Sequence, residues 1–153
     1  MAKTTQDPVA FRFFNEVGII EQLARALLER NLPDGLKISQ FSVLNHMARA
    51  DERGEDDWGP ARLASAFQVT KGAMTNTLQR LENRGLVRIK ADPRDGRGKL
   101  VTITDAGRTM RLRCVESVSP LLAELTQEIS DAEFASALPF LEKVRIYLDT
   151  HRS

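Results

Sequence analysis

Apolar residues recur at helical spacing from the start of the chain. Phe11, Phe14, Val17, Ile20, Ala24, Leu27 and Leu28 fall three or four positions apart, the period that gathers side chains on one side of a helix. Asp7-Pro8 reads as a cap followed by a first-turn proline whose missing N–H costs nothing, and Pro33-Asp34-Gly35 stops the run. Phe13, Ile19 and Leu23 widen the stripe beyond one packing face, so this helix is expected to bury against more than one partner. A second helix, capped by Ser39, carries Phe41, Val43, Leu44, Met47 and Ala48 and ends before the charged stretch Asp51 to Asp57. Gly59-Pro60 opens a short third (Ala61, Leu63, Ala64, Phe67). After Gln68-Val69-Thr70 a fourth begins, with Thr70 as cap and Met74, Leu78 and Leu81 facing inward until Gly85. Two short helices joined by so tight a turn outline a helix-turn-helix.

Leu86-Val87-Arg88-Ile89-Lys90 and Leu100-Val101-Thr102-Ile103-Thr104 read as strands, alternating and rich in β-branched residues. The Asp, Pro and Gly residues of Ala91 to Lys99 suit a hairpin loop between them. A helix-turn-helix followed by a charged hairpin is a winged helix. From Asp105 the helical pattern returns through Met110, Cys114, Val118, Leu121, Leu125 and Ile129. Pro120 either kinks this helix or ends it near Ser117, with Ser119 capping a restart. Ser130-Asp131-Ala132-Glu133 is a capping box for a last helix carrying Phe134, Leu138, Leu141, Val144 and Leu148. The expected fold class is mainly α with a small β-hairpin: a winged helix-turn-helix flanked by N- and C-terminal helices.

Composition narrows the class. With 153 residues, 42% hydrophobic and 28% charged, the chain has the size and balance of one globular domain. A lone Cys114 cannot pair within the chain and no signal segment is apparent, so an intracellular, cytoplasmic protein is expected. No apolar run approaches a membrane span, so no membrane partner is expected. His46, His151 and Cys114 lie too far apart for structural-metal spacing, and no nucleophile or phosphate-loop motif is present. Neither catalysis nor a cofactor is expected. The net charge of +1 conceals an imbalance: residues 1–70 carry 8 basic and 10 acidic groups, 71–113 carry 11 and 4, and 114–153 carry 3 and 7. The middle is thus +7, spanning the fourth helix, the hairpin and the start of the next helix.

Phosphate neutralisation needs cations concentrated on one surface, whatever the total charge. Arg88, Lys90, Arg94, Arg97 and Lys99 lie in or beside the hairpin. On the fourth helix the outward positions are Lys71, Gly72, Thr75, Asn76, Gln79 and Arg80. Asn and Gln can pair two-pronged with adenine, Thr can meet a thymine methyl, and Lys can reach guanine or phosphate. Recognition helices read bases with their N-terminal half, so Lys71, Thr75 and Asn76 rank above Arg80, which is expected on phosphate.

The stretch from Leu63-Ala64 through Val69-Thr70-Lys71, Thr75, Leu81-Glu82-Asn83-Arg84-Gly85-Leu86-Val87, Asp92-Pro93-Arg94-Asp95-Gly96-Arg97 and Leu100-Val101-Thr102-Ile103-Thr104-Asp105-Ala106-Gly107 resembles the MarR (multiple antibiotic resistance regulator) family of winged-helix transcription factors. The resemblance implies a homodimer with each recognition helix in a major groove and each wing arginine in the adjacent minor groove. It implies dimerisation helices within 7–32 and 106–150 around a DNA-binding lobe at 36–105. Arg97 is the first choice for the minor-groove arginine and Arg94 the second, with Asp92 and Asp95 bracing their guanidinium groups by charge-assisted hydrogen bonds. Gly96 stands where the family often has another arginine, and Asn76 replaces a common arginine, so base preference there cannot be borrowed.

Dimerisation would also account for the broad first helix, since a monomer would leave Phe11, Phe13 and Phe14 partly exposed. Family members often bind small aromatic or phenolic effectors; the candidates here are Phe14, Phe41, His46 and Met110, all equally suited to a core. Cys114 falls on an apolar stripe beside Val118, as a buried inert thiol would. The expected function is a repressor that binds a pseudo-palindromic double-stranded DNA operator as a homodimer and is released by a small effector. The alternative is a winged-helix protein-interaction module.

Overall fold

A computed structural model describes residues 7–152. Helix α1 (Val9–Asn31) leads through a 3-10 turn (Pro33–Gly35) to α2 (Ile38–Glu52), α3 (Pro60–Phe67), α4 (Lys71–Asn83), strands β1 (Val87–Ala91) and β2 (Lys99–Ile103), α5 (Asp105–Glu128) and α6 (Asp131–Thr150). Contacts divide the chain into two compact units, residues 1–117 and 118–153.

The first unit holds the core. Val43, Leu44 and Met47 of α2, Leu63 and Ala64 of α3, and Met74, Leu78 and Leu81 of α4 are buried together with Leu86, Val87, Val101, Ile103, Met110 and Cys114. Full burial of one such leucine stabilises by about 1.5–3 kcal/mol, so the eight-residue α3 is held by packing rather than by its own length. Gln68 ends α3 in the left-handed region (φ 53°, ψ 44°), and Val69 N–H donates to Ala64 O at 3.0 Å, closing the tight turn. Thr70 then caps α4, its hydroxyl accepting from Ala73 N–H at 3.1 Å.

The strands pair antiparallel with Val87 opposite Ile103 and Ile89 opposite Val101. The first lies one residue later and the second one residue earlier than the sequence pattern places them. Leu86 N–H donates to Leu81 O and Leu86 O accepts from Thr104 N–H, so both residues close the hairpin's base. The hairpin is anchored beyond its own ladder: Val101 N–H donates to Trp58 O at 2.8 Å. Gly59 permits that approach, because a Cβ there would come within 2.6 Å of Lys99 O. At the other end Thr104 Oγ1 donates to Gly85 O at 2.6 Å and accepts from Gly107 N–H at 3.0 Å. A Cβ on Gly107 would overlap the Leu86 carbonyl and reach within 2.8 Å of Ile103 Cγ1, so α5 can start this close to the hairpin only with glycine there.

Two helix starts differ from expectation. Pro8, not Asp7, is the N-cap of α1, and Lys37, not Ser39, caps α2, where the buried Gln40 Oε1 accepts Lys37 N–H at 3.0 Å. A side chain reaching back from the third helical position replaces the expected serine. Helix α5 continues through Pro120 rather than stopping near Ser117. The second unit contains the end of α5 and all of α6, which starts on the expected Ser130–Glu133 capping box and also runs through a proline, Pro139. No residue of α6 is buried, and Phe134, Leu138, Phe140, Leu141 and Tyr147 are exposed. No residue of α1 is buried either: Phe11 is 60% exposed, Ile20 61% and Leu23 68%. No helix among the described residues is long and apolar enough to cross a membrane.

Candidate nucleic-acid interface

With Met74, Leu78 and Leu81 directed into the core, α4 presents Lys71, Gly72, Thr75, Asn76, Gln79 and Arg80 to solvent, as its spacing predicts. Gln79 Nε2 donates to Asn83 Oδ1 at 3.2 Å, one turn along the same helix. The end of α4 is tied to the wing by Glu82, whose Oε2 accepts the Ile89 N–H of β1 at 2.7 Å. Glu82 lies within the motif LENRG, yet nothing local in that motif reveals a partner on the following strand.

The wing loop is built by its aspartates. Asp92 Oδ1 accepts Arg94 N–H at 2.8 Å, Asp95 Oδ1 accepts Arg97 N–H at 3.1 Å, and Asp92 N–H and Gly98 O close the loop's base. Both carboxylates hold loop backbone, each two residues before its N–H, the geometry of an Asx turn. Asp92 also pairs with the Arg94 guanidinium, 3.7 Å from Nε, whereas Asp95 makes no ion pair with Arg97 among the described residues. Arg94 has a second carboxylate in Asp56 of the α2–α3 loop, at 3.5 Å. Arg97 has no ion-pair partner among the described residues, and it and Lys99 are exposed.

Apart from Arg94, the eleven cations of 71–113 separate into two groups. Arg108 bridges Asp51 and Asp105 at 2.8 Å each, Arg113 pairs with Asp34 at 2.7 Å, Arg111 donates to Asn45 at 3.1 Å, and Arg84 donates to Asp34 O at 3.1 Å. These four hold α5 and the end of α4 to the middle and end of α2 and to the turn before it. The Arg113 guanidinium keeps the Asp34 carboxyl below its ordinary range, first by hydrogen bonding and then by charge. Lys71, Arg80, Arg88, Lys90, Arg97 and Lys99 are exposed and make no ion pair among the described residues. The +7 of the sequence thus overstates the free charge, since part of it is spent inside the fold.

The other singled-out residues are accounted for by packing. Cys114 is fully buried, and desolvation raises its thiol above the ordinary range. Met110 is buried, Phe41 packs on the core, and Phe14 is 47% exposed on α1, its ring edge-on to Phe13 at 5.3 Å. His46 lies edge-to-face on Trp58 at 4.2 Å and near Phe67 at 5.5 Å, its buried Nε2 without a hydrogen-bond partner among the described residues. Trp58 donates from Nε1 to Glu55 at 2.8 Å and carries the Arg62 guanidinium 3.8 Å from its ring centroid. Glu55, bonded also to Arg53, is pulled down to about 2.

The sequence model of the MarR family matches residues 34–98, from the turn before α2 to the tip of the wing. The multiple antibiotic resistance protein MarR of Escherichia coli is 35% identical over 86 residues, covering 56% of this chain and 60% of that protein. The chain spans between 60% and 65% of the length of the curated relatives it matches. Among solved structures, a mutant E. coli MarR complexed with operator DNA is 30% identical with a TM-score of 0.69, covering 87% of this chain and 93% of that one. The transcriptional regulator BldR from Sulfolobus solfataricus is 26% identical with a TM-score of 0.77, covering 96% and 99%. The winged helix-turn-helix from α2 to β2 and likenesses of this extent agree, and the chain belongs to the MarR family of winged-helix regulators.

Proposed function

We propose that this chain is a sequence-specific, double-stranded-DNA-binding transcriptional repressor, acting inside the cell as a homodimer on a pseudo-palindromic operator. One observation carries the reading. Within residues 71–113, Lys71 and Arg80 on the outward face of α4 and Arg88, Lys90, Arg97 and Lys99 of the hairpin make no ion pair among the described residues, while Arg108 and Arg113 of α5 are paired with Asp51 and Asp34. Lys71, Thr75 and Asn76 read base edges in the major groove, with Gly72 allowing close approach and Gln79 and Arg80 toward the phosphates. Arg97 enters the minor groove, with Arg94 second and Lys99 on the backbone. Residues 36–105 serve as the DNA-binding lobe, and helices within 7–32 and 106–150 serve dimerisation, a role supported by the apolar exposure of α1 and α6. The complex of the E. coli relative with operator DNA supports the choice of partner. Phe41, His46 and Met110 have packing roles, Phe14 is exposed on α1, and none of the four is assigned to an effector.

Selection of bound sequences from random duplex DNA tests this reading. Enrichment of a two-fold symmetric motif with half-sites about one helical turn apart is expected. Recovery of unenriched sequence would instead favour a winged helix that grips a protein.

A further inference from the structure

The loop between α2 and α3, residues 53–59, carries the acidic run Glu55-Asp56-Asp57 and is fixed on either side of it. Glu55 N–H donates to Ala50 O at 2.9 Å, and its carboxylate accepts Arg53 Nε at 2.6 Å and Trp58 Nε1 at 2.8 Å. Trp58 O accepts Val101 N–H of β2 at 2.8 Å, and Gly59 lies against the Lys99 carbonyl. Asp57 pairs with Arg62 in the first turn of α3. The backbone around Asp56 is thus held to α2 and to the hairpin, which gives its side chain a set place beside the wing although that side chain is 83% exposed. There it meets Arg94, at 3.5 Å. Glu55 and Asp57 are committed to Arg53 and Arg62, so Asp56 is the carboxylate of this loop that reaches the wing. The second partner of Arg94, Asp92 at 3.7 Å, belongs to the wing loop, also accepts Arg94 N–H, and accompanies the arginine wherever the wing goes. Asp56 stands on a different element. A duplex can take the Arg94 guanidinium only by displacing that carboxylate, whereas Arg97, without an ion-pair partner among the described residues, faces no such step.

We propose that Asp56 is an autoinhibitory latch, a carboxylate of the α2–α3 loop that occupies Arg94 in the DNA-free protein and must be released before that arginine engages a duplex. The inference rests on the DNA-binding reading and adds an internal competitor to it, a piece of the chain that stands in for phosphate. An exposed ion pair of this kind is worth at most about a fivefold factor, and screening reduces it as ionic strength rises. The latch therefore tunes the strength of binding to any duplex, most of all at low salt, without reading sequence.

The test is duplex binding across a salt series for wild type, Asp56→Asn, Asp56→Glu, Arg94→Gln and the double variant Asp56→Asn with Arg94→Gln, on the selected operator and on an unrelated duplex. Asp56→Asn is expected to strengthen binding to both about two- to fivefold at low salt, with a gain that fades as salt is raised. Its Trp58 fluorescence and thermal midpoint stay at wild-type values, since the substituted side chain is 83% exposed. Asp56→Glu keeps the carboxylate and binds like wild type. In the Arg94→Gln background, removing the Asp56 charge changes affinity by less than about 1.5-fold, because the group it held is gone. Plain repulsion between Asp56 and the duplex would instead give Asp56→Asn the same gain with or without Arg94, and that result overturns the latch. An Asp56→Asn affinity equal to or below that of wild type at low salt overturns it as well. Absence of any duplex binding by wild type overturns the regulator reading and the latch with it.

Discussion

Arg94 and Arg97 sit three positions apart in one loop, and the fold gives them different freedom. Arg94 is already offset by Asp56 and Asp92 at 3.5 and 3.7 Å, exposed pairs of the kind worth at most about 1 kcal/mol. Arg97 has its backbone pinned by Asp95 and its guanidinium unpaired. Arg97→Ala is expected to weaken operator binding by about 1–3 kcal/mol with the fold intact. Arg94→Ala is expected to cost less. A mobility-shift titration in which the two rank the other way removes Arg97 from the groove. The ranking of the two arginines could be proposed from the motif, but its cause could not, because Asp56 is 38 positions away from Arg94 in sequence. The same holds for Arg108 with Asp51 and Arg113 with Asp34, separated by 57 and 79 positions. His46 makes a second claim at this scale. Burial first, then Arg53, holds its pKa below the ordinary 6.5; Arg49 and Arg62 add to the depression and Glu55 opposes it. Below pH 6.5 the unfolded chain takes up a proton that the folded chain refuses, so stability falls with acidification until the folded pKa is reached. Urea midpoints followed by the fluorescence of the single tryptophan, Trp58, should drop between about pH 7.5 and 5.5, and by less in His46→Phe. Equal drops in both proteins would locate the proton elsewhere.

At the scale of elements, what depends on neighbours in sequence was legible. Thr70 as cap, the Ser130–Glu133 box, the Gly59-Pro60 start and the stop at Pro33 all follow from adjacent residues, and each stands where expected. What failed depends on distant groups. Ser39 lost the cap of α2 to a chain that turns two residues earlier, and the strands shifted because Leu86 and Thr104 bond across the hairpin's base. Local sequence left open whether Pro120 kinks or ends its helix; α5 runs through it despite the missing N–H, and α6 likewise runs through Pro139. The coupling of wing to recognition helix was likewise invisible. Glu82 accepts a half-buried N–H from Ile89 at 2.7 Å, and Glu82→Ala leaves that donor without its carboxylate. A loss of about 1–3 kcal/mol in urea unfolding is expected, with Glu82→Gln losing less because its amide oxygen can still accept. If the alanine variant unfolds like wild type, water satisfies Ile89 and the wing is positioned by Trp58 and Thr104 alone.

For the whole molecule, the decisive quantity is apolar surface that the chain does not cover. Helix α1 is 23 residues long and buries none of them, and α6 buries none of its 20. Ordering that much helix without burial is unfavourable, because a helix in water is held mainly by the packing of its apolar face. The sequence revealed the excess as a stripe too wide for one face, but periodicity cannot say whether a core or a second molecule fills it. Exposure decides: Phe11 at 60%, Ile20 at 61% and Leu23 at 68% are positions where a charge cannot disrupt the subunit's own core. Ile20→Glu with Leu23→Glu should therefore separate association from folding. Wild type is expected to sediment at about twice 17.1 kDa and the double variant at 17.1 kDa. The variant should keep its Trp58 fluorescence, since His46, Glu55 and Arg62 around that ring belong to other elements. Affinity for a symmetric operator should fall steeply, because two half-sites are then bound independently rather than as one linked event, while affinity for an isolated half-site stays near its original value. A wild-type mass of 17.1 kDa at micromolar concentration, or a double variant that remains dimeric, would show that α1 is not the surface a second copy covers.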